Sequence, residues 1–167
     1  FFVSSPSSVK YFSGYFFYFE YGSSPFHLVP AILAVVPEQG NCLLLADNEM
    51  AQTPFIDPAL NVQTYETYAF EKPPDPAGDC IKKLGEFIIK NKLSASRIGI
   101  ERDALPLGIV QVLAERYPSV IWVNMSAAFA QLKSIKDIDE IGCIRQAARL
   151  ADIGQATVLK FAREGMS

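Results

Sequence analysis

Residues 132–167 read LKSIKDIDEIGCIRQAARLADIGQATVLKFAREGMS, a stretch with the pattern of one long helix. Asp137 and Glu140 have the spacing of a capping box, in which each side chain satisfies a backbone N–H at the start of a helix. Apolar residues then recur three or four positions apart, which places them on neighbouring faces of that helix. Two rows predict a helix with broad burial: Ile138, Ile141, Ile144, Ala148 and Ala151, then Leu150, Ile153, Thr157 and Phe161.

Patterning alone leaves two interpretations of this helix open. It packs against its own domain, or it is a linker that opens a second domain. The choice between them needs the upstream part of the chain.

Strands and helices alternate from Asn61 onward, which predicts an α/β layered domain with parallel strand pairs. Leu28–Val36 and Cys42–Ala46 are β-rich runs joined by a four-residue turn, so a hairpin adds an antiparallel member and makes the sheet mixed. Val120–Val123 is apolar without alternation, which predicts a central strand covered on both faces.

Composition narrows the class of protein. A chain of 167 residues suits one domain with a substantial core, and a net charge of −3 gives no basic footprint for nucleic acid or an anionic membrane. No apolar run is long enough to span a bilayer. Cys42, Cys80 and Cys143 are odd in number and widely spaced, which favours buried thiols in a reducing, cytoplasmic compartment over disulfides or a zinc site.

Three segments, in chain order, resemble the creatinase/prolidase family: Lys10–Gly14, Arg97–Glu101 and Lys133–Ala148. The resemblance implies a three-layer α/β/α domain with a mixed sheet and a ribonuclease-H-like motif over residues 1–132. It also favours residues 133–167 as a linker helix leading into a C-terminal "pita-bread" catalytic domain absent from this chain. The start at Phe1, without an initiator Met, then suggests an excised domain.

Aromatic residues are concentrated between Tyr11 and Phe26, which hold nine of the chain's twenty. A run from Tyr15 to Phe19 cannot turn every ring inward, and an exposed apolar patch of this size marks an interface. A purely internal role is the alternative. The segment predicts a substrate entrance or dimer contact, with Tyr15, Phe19 and Tyr21 as its candidate residues.

Hydrolytic chemistry has few candidates in the sequence. The single histidine, His27, is best explained as a structural residue at a strand edge, and the chain has no HxxxH pair, GxSxG elbow or phosphate-binding loop. The acidic clusters near Asp47 and Asp137 suit helix N-termini better than a metal site. We therefore predict no catalytic residue and no metal ligand in these 167 residues.

The family resemblance implies where the chemistry lies instead. Peptidase members bind two divalent ions, such as Mn, Co or Zn, with Asp, His and Glu residues of the C-terminal domain, and none of those positions is in this sequence. This chain would then be the non-catalytic N-terminal domain of a metal-dependent Xaa-Pro aminopeptidase or dipeptidase. Its partners would be its own catalytic domain, a second subunit in a homodimer and a peptide substrate.

Two other parents remain open. A creatinase-type amidinohydrolase would use an aromatic residue and an arginine from this domain to hold its substrate. Tyr21-Gly22-Ser23 keeps the aromatic residue but has serine in place of arginine, and no arginine precedes Arg97. The third possibility is a peptidase-like binding module without enzyme activity, as in histone-chaperone subunits.

Overall fold

The computed structural model describes residues 1–15, 31–48, 60–67, 70–71 and 73–163. Within them, strands and helices follow one another in this order: β1 (Phe2–Val3), α1 (Pro6–Ser13), β2 (Ala31–Val36), β3 (Asn41–Asp47), β4 (Val62–Tyr65), α2 (Pro76–Lys90), β5 (Arg97–Ile100), α3 (Leu107–Arg116), β6 (Ile121–Asn124), α4 (Ser126–Ser134) and α5 (Ile138–Phe161).

The strands pair into one mixed sheet in the order β4-β3-β2-β1-β5-β6. The pairs β1–β2 and β2–β3 are antiparallel, whereas β3–β4, β1–β5 and β5–β6 are parallel. The predicted hairpin is confirmed over its described part: a 3₁₀ turn at Pro37–Gln39 joins β2 to β3, and Gly40 takes the left-handed conformation that glycine tolerates best.

Two apolar clusters lie on opposite faces of the sheet. One packs α2 and α3 against the strands through Leu84, Ile88, Ile109 and Leu113. The other includes Val9 of α1 and Phe129 of α4. Helices therefore cover both faces of a mixed sheet, which confirms the predicted three-layer α/β arrangement.

Local signals set the helix starts. The side chain of Asp75 accepts a hydrogen bond from Gly78 N at 2.9 Å, and Pro76 opens α2. Ser5 is the N-cap of α1, and Pro6 supplies the preset first helical residue. α1 ends at Gly14, whose φ of 70° is the left-handed conformation typical of a glycine at a helix C-terminus.

The chain divides into two compact units, Phe1–Ala130 and Gln131–Ser167. In the second, the capping box of α5 is confirmed: Asp137 Oδ1 accepts from Glu140 N at 2.8 Å, and Glu140 Oε2 accepts from Asp137 N at 2.9 Å. No described residue of α5 is buried, so the predicted broad burial is wrong within this chain. The apolar face of a single helix is buried only when another element packs against it.

The prediction that Val120–Val123 forms a central strand is also wrong. Among the described strands, β6 lies at the edge of the sheet beside β5, and Ile121 is 57% exposed. An apolar run without alternation cannot by itself distinguish a strand with two neighbours from a strand with one. Gly99 of β5 allows a close approach of Met125, since a Cβ there would lie 2.8 Å from Met125 Cγ.

Replacing Leu84 with alanine tests the α2 side of the core. Leu84 is fully buried, so the change is expected to lower the free energy of unfolding by about 2–5 kcal/mol through a cavity. Ile89→Ala, on the same helix but 61% exposed, should cost about 0.5 kcal/mol or less. Equal losses for the two variants in urea denaturation would contradict this packing.

Candidate functional site

Tyr15 is the part of the predicted aromatic site that the structure describes. It follows Gly14 at the end of α1, is fully buried, and packs in the cluster that includes Val9 and Leu33. Its backbone N–H donates to Ser13 Oγ at 3.2 Å. Tyr15 is therefore an interior anchor of this chain. Phe19, Tyr21 and His27 lie outside the described residues, and their roles stay predictions.

A smaller aromatic surface precedes Tyr15. The rings of Phe1, Phe12 and Phe129 lie with centroids 5.0 to 5.5 Å apart, and Tyr11 packs edge-on against Phe12 at 5.2 Å. These tilted contacts are the favoured geometry for aromatic pairs. Tyr11 remains 39% exposed, so one side of the cluster reaches the surface at the C-terminal part of α1.

Glu101 forms the most extensive polar network among the described residues. It follows β5, is 7% exposed, and faces the junction of β1 with α1. Its Oε2 accepts from Ser4 N at 3.1 Å and Ser5 N at 2.9 Å, and its Oε1 accepts from Ser5 Oγ at 2.7 Å and Ser8 Oγ at 2.5 Å. The carboxylate thus holds the first turn of α1 against the end of β5.

These donors also set the charge state of Glu101. Burial by itself raises the pKa of the carboxyl, but the hydrogen bonds from Ser8, Ser5 and Ser4 outweigh burial and hold its pKa below the usual value. A carboxylate that stays ionised and accepts this many hydrogen bonds is poorly suited to act as a general base. The network is a structural clamp, which we call the Glu101 clamp.

The two ends of the Glu101 clamp adjoin two of the segments that resemble the creatinase/prolidase family. Lys10–Gly14 belongs to the helix that the clamp holds, and Arg97–Glu101 supplies the carboxylate. The sequence features that could have indicated the clamp are local at each end: a serine-rich helix start after β1 and a glutamate directly after β5. Their contact spans 93 to 97 residues of sequence, which no local pattern reports.

A cleft of about 280 Å³ lies at the C-terminal end of α2. Asn91 caps this end: its Nδ2 donates to Phe87 O at 2.8 Å, and its Oδ1 accepts from Asn41 Nδ2 at 2.7 Å. These hydrogen bonds tie the C-terminal end of α2 to the start of β3. The cleft is lined by Gly40, Asn41, Cys42, Asn61, Phe87, Lys90 and Asn91.

A second cleft, of about 430 Å³, lies beside the N-terminal half of α2 and β4. Asp79 and Lys83 form an ion pair of 3.2 Å across one helical turn, and Lys83 Nζ also donates to Thr64 O. Among the described residues, no group of three or more His, Cys, Asp or Glu side chains is placed to hold a metal ion. Asp47, expected near a helix start, is instead a fully buried residue of β3.

The three cysteines are free thiols, but only one is buried. Burial, followed by the charge of Asp79, raises the pKa of Cys80 to about 12, so that thiol stays protonated and unreactive. Cys42 is half-buried and Cys143 is exposed, which corrects the expectation of three buried thiols.

None of the helices in the described part of the chain is both long and apolar enough to cross a membrane.

Comparison with known families and sequences finds similar proteins. The family described as "Creatinase/Prolidase N-terminal domain" matches residues 1–135. Creatinase from Bacillus sp. (strain B-0618) is 34% identical over 73 residues, a match that covers 44% of this chain and 18% of that protein.

Solved structures share the fold. The structure of X-Pro aminopeptidase from Thermotoga maritima MSB8 aligns with a TM-score of 0.65 at 18% identity, and the alignment covers 99% of this chain and 42% of the aminopeptidase chain. A dipeptidase from Pyrococcus horikoshii OT3 aligns with a TM-score of 0.61 at 21% identity, and the alignment covers 99% of this chain and 40% of the dipeptidase chain. A proline dipeptidase from Streptococcus pneumoniae TIGR4 aligns with a TM-score of 0.55 at 20% identity, and the alignment covers 81% of this chain and 86% of that chain. The chain thus spans less than half the length of the first two proteins.

Removing the charge of Glu101 should destabilise the domain. Glu101→Gln replaces two acceptor oxygens with one and turns an amide N–H₂ toward donors, so we expect a loss of about 1–3 kcal/mol in the free energy of unfolding at pH 7. Because the folded-state pKa lies below the unfolded one, this stabilisation is fully present above the unfolded pKa. It is lost as pH falls through the folded pKa, and the gap between variant and wild type should close there.

Glu86→Gln is the matched control, since Glu86 is exposed on α2. It should change the unfolding free energy by about 0.5 kcal/mol or less at any of these pH values. A Glu101→Gln variant as stable as wild type at pH 7, or a gap that widens on acidification, would show that the clamp does not work as described.

Proposed function

Since this chain belongs to the creatinase/prolidase N-terminal domain family, we propose that it is the non-catalytic N-terminal domain of a metal-dependent Xaa-Pro aminopeptidase or dipeptidase. The observation that carries the proposal is the family match over residues 1–135, and the fold shared with an X-Pro aminopeptidase and a dipeptidase over 99% of the chain supports it. The described carboxylate of Glu101 is committed to structural hydrogen bonds with Ser4, Ser5 and Ser8.

In this proposal the chemistry belongs to a C-terminal catalytic domain. That domain would hold two divalent ions, such as Mn, Co or Zn, which activate the water that attacks the peptide bond before proline. This chain would shape access to that site and contribute to a cytoplasmic homodimer. The partly exposed ring of Tyr11 at the end of α1, next to the aromatic-rich segment, supports a contact role there.

A creatinase-type amidinohydrolase is the second candidate, favoured by the 34% identity to creatinase over 73 residues. The composition of the chain argues against it. No arginine precedes Arg97, so the segment at Tyr21-Gly22-Ser23 offers no guanidinium for two-pronged binding of a carboxylate.

The longer natural protein separates these candidates in one assay. The peptidase proposal expects hydrolysis of Xaa-Pro dipeptides or tripeptides that stops when a chelator removes the metal and returns when Mn²⁺ is added. Chelator-resistant hydrolysis of creatine would establish the second candidate. Inactivity on both substrates, in a protein shown to be folded, would reject both and leave a binding module.

The 167-residue chain by itself should not hydrolyse Xaa-Pro peptides. Since the described residues place no catalytic pair and no metal cluster, addition of Mn²⁺, Co²⁺ or Zn²⁺ should not produce activity. The measurement is product formation by purified chain at high concentration, with the longer protein as positive control. Metal-dependent turnover by this chain, persisting through repurification, would overturn the assignment.

Phe19→Ala and Tyr21→Ala in the longer protein test the aromatic segment. If these rings shape the entrance or the dimer contact, the variants should change the KM for peptide substrates or weaken dimerisation by about tenfold, as loss of a buried aromatic contact does. Ile89→Ala, an exposed apolar position on α2, is the control and should leave both unchanged. Wild-type KM and wild-type dimerisation in both aromatic variants would remove the role.

A further inference from the structure

The two edges of the sheet are built differently. At the β4 edge, Leu44 N donates to Asn61 O and Asn48 N donates to Tyr65 O, so alternate residues of β4 face β3 while Thr64 and Glu66 face outward. One backbone group of each of these two residues is covered. Lys83 Nζ donates to Thr64 O, and Asp79 Oδ2 accepts from Glu66 N at 3.3 Å. One ion pair of α2 therefore blocks this edge against another strand.

At the β6 edge, no side chain of the described residues covers the strand in this way. Ile121 N donates to Ser96 O at 3.0 Å and Met125 N donates to Ile100 O at 2.9 Å, so residues 121, 123 and 125 face β5. The backbone N–H and C=O groups of Trp122 and Asn124 point outward, and within the described part of the chain they have no partner. The strand itself carries no charged residue and no proline, the usual protections of an edge.

We propose that β6 pairs with β6 of a second copy of this chain, antiparallel about a two-fold axis at Val123, so that two sheets join into one. This register sets Trp122 opposite Asn124 of the second copy, and each such pair exchanges two backbone hydrogen bonds. Val123 then faces its own counterpart, and Ile121 faces Met125 on the same side of the sheet. The exposed Ile121 side chain gains an apolar neighbour.

Neighbouring registers are less favourable because they use groups that are already bonded. An axis at Trp122 brings in Val120, whose N–H donates to Tyr117 O at 3.0 Å. An axis at Asn124 brings in Ser126, whose N–H donates to Asn124 Oδ1 at 3.0 Å. Only the axis at Val123 pairs outward groups that have no other partner in the described chain.

Charge also favours the antiparallel over the parallel orientation of a second copy. The exposed Arg97 lies in register with Ile121 at the start of the edge, and the exposed Arg102 and Asp103 lie at its other end, where Asp103 N donates to Ser126 Oγ at 3.3 Å. Antiparallel pairing brings Arg97 of one copy toward the balanced Arg102 and Asp103 of the other, whereas parallel pairing would put the two Arg97 side chains together. Four-residue strands bury far less than the about 1,200 Å² of a standard interface, so this association is weak.

A disulfide test reads the register directly, in the full 167-residue chain with Cys143→Ser to remove the exposed thiol. Val123→Cys should form a covalent dimer under mild oxidation, since facing residues in a non-hydrogen-bonded pair have Cα atoms about 4.5 Å apart, within disulfide range. Ile121→Cys is the control on the same strand: it is more accessible but lies far from its own counterpart in this register. Equal or greater cross-linking at Ile121 would overturn the proposal.

Sedimentation equilibrium supplies an independent measurement. Wild-type chain should dimerise with increasing concentration, and Ile121→Lys should weaken dimerisation by about tenfold by placing a charge on the edge. Ile89→Lys, on α2, should leave dimerisation unchanged, and circular dichroism should show that both variants are folded. A wild-type chain that stays monomeric and gives no Val123→Cys dimer, or a dimer insensitive to Ile121→Lys, would refute the β6 interface. These results do not depend on the proposed hydrolase function.

Discussion

The buried carboxylate of Glu101 is the constraint on which the order of the sheet depends. β1 contributes only two paired residues, Phe2 and Val3, yet it lies between β2 and β5. Two residues offer few ladder hydrogen bonds, so such a short strand needs further attachment. The Glu101 backbone continues the ladder, since its N–H donates to Phe2 O at 3.0 Å, and its side chain takes the next two N–H groups of the chain, at Ser4 and Ser5.

This attachment resolves two unfavourable burials at once. A charged group removed from water costs free energy unless it is hydrogen-bonded, and the first N–H groups of a helix have no partner within the helix. In the Glu101 clamp each group satisfies the other, because the carboxylate accepts hydrogen bonds from the backbone N–H groups at the junction that leads into α1. β1 is also the strand that pairs antiparallel with β2 on one side and parallel with β5 on the other. The same carboxylate therefore fixes the position of α1, whose far end leads to Tyr15.

Features carried by neighbouring residues could be predicted from the sequence, and features carried by distant ones could not. The Asp75–Pro76 start of α2, the capping box at Asp137 and Glu140, and the turn at Pro37–Gly40 each depend on a few adjacent side chains. The Glu101 clamp joins residues more than ninety positions apart, and no spacing rule announces it. The prediction of a central strand at Val120–Val123 was wrong for a related reason. Strand order is set by long-range pairing, and an apolar run carries no information about which strands lie beside it.

The Asp79–Lys83 ion pair matters in this fold more for the backbone groups that its side chains cover than for the stability that it contributes. An ion pair at the surface of a helix contributes little to stability, because water screens the charges and the long side chains lose conformational freedom. Its value here comes from what the two side chains cover. α2 buries Leu84 and Phe87 against the sheet and, one turn away, presents Lys83 to Thr64 O and Asp79 to Glu66 N. α3, which packs in the same core cluster through Ile109 and Leu113, carries no described side chain bonded to the β6 backbone. The difference between the two edges thus follows from which residues each covering helix turns toward its strand, and among the described residues only the β4 edge is covered by side chains of a helix.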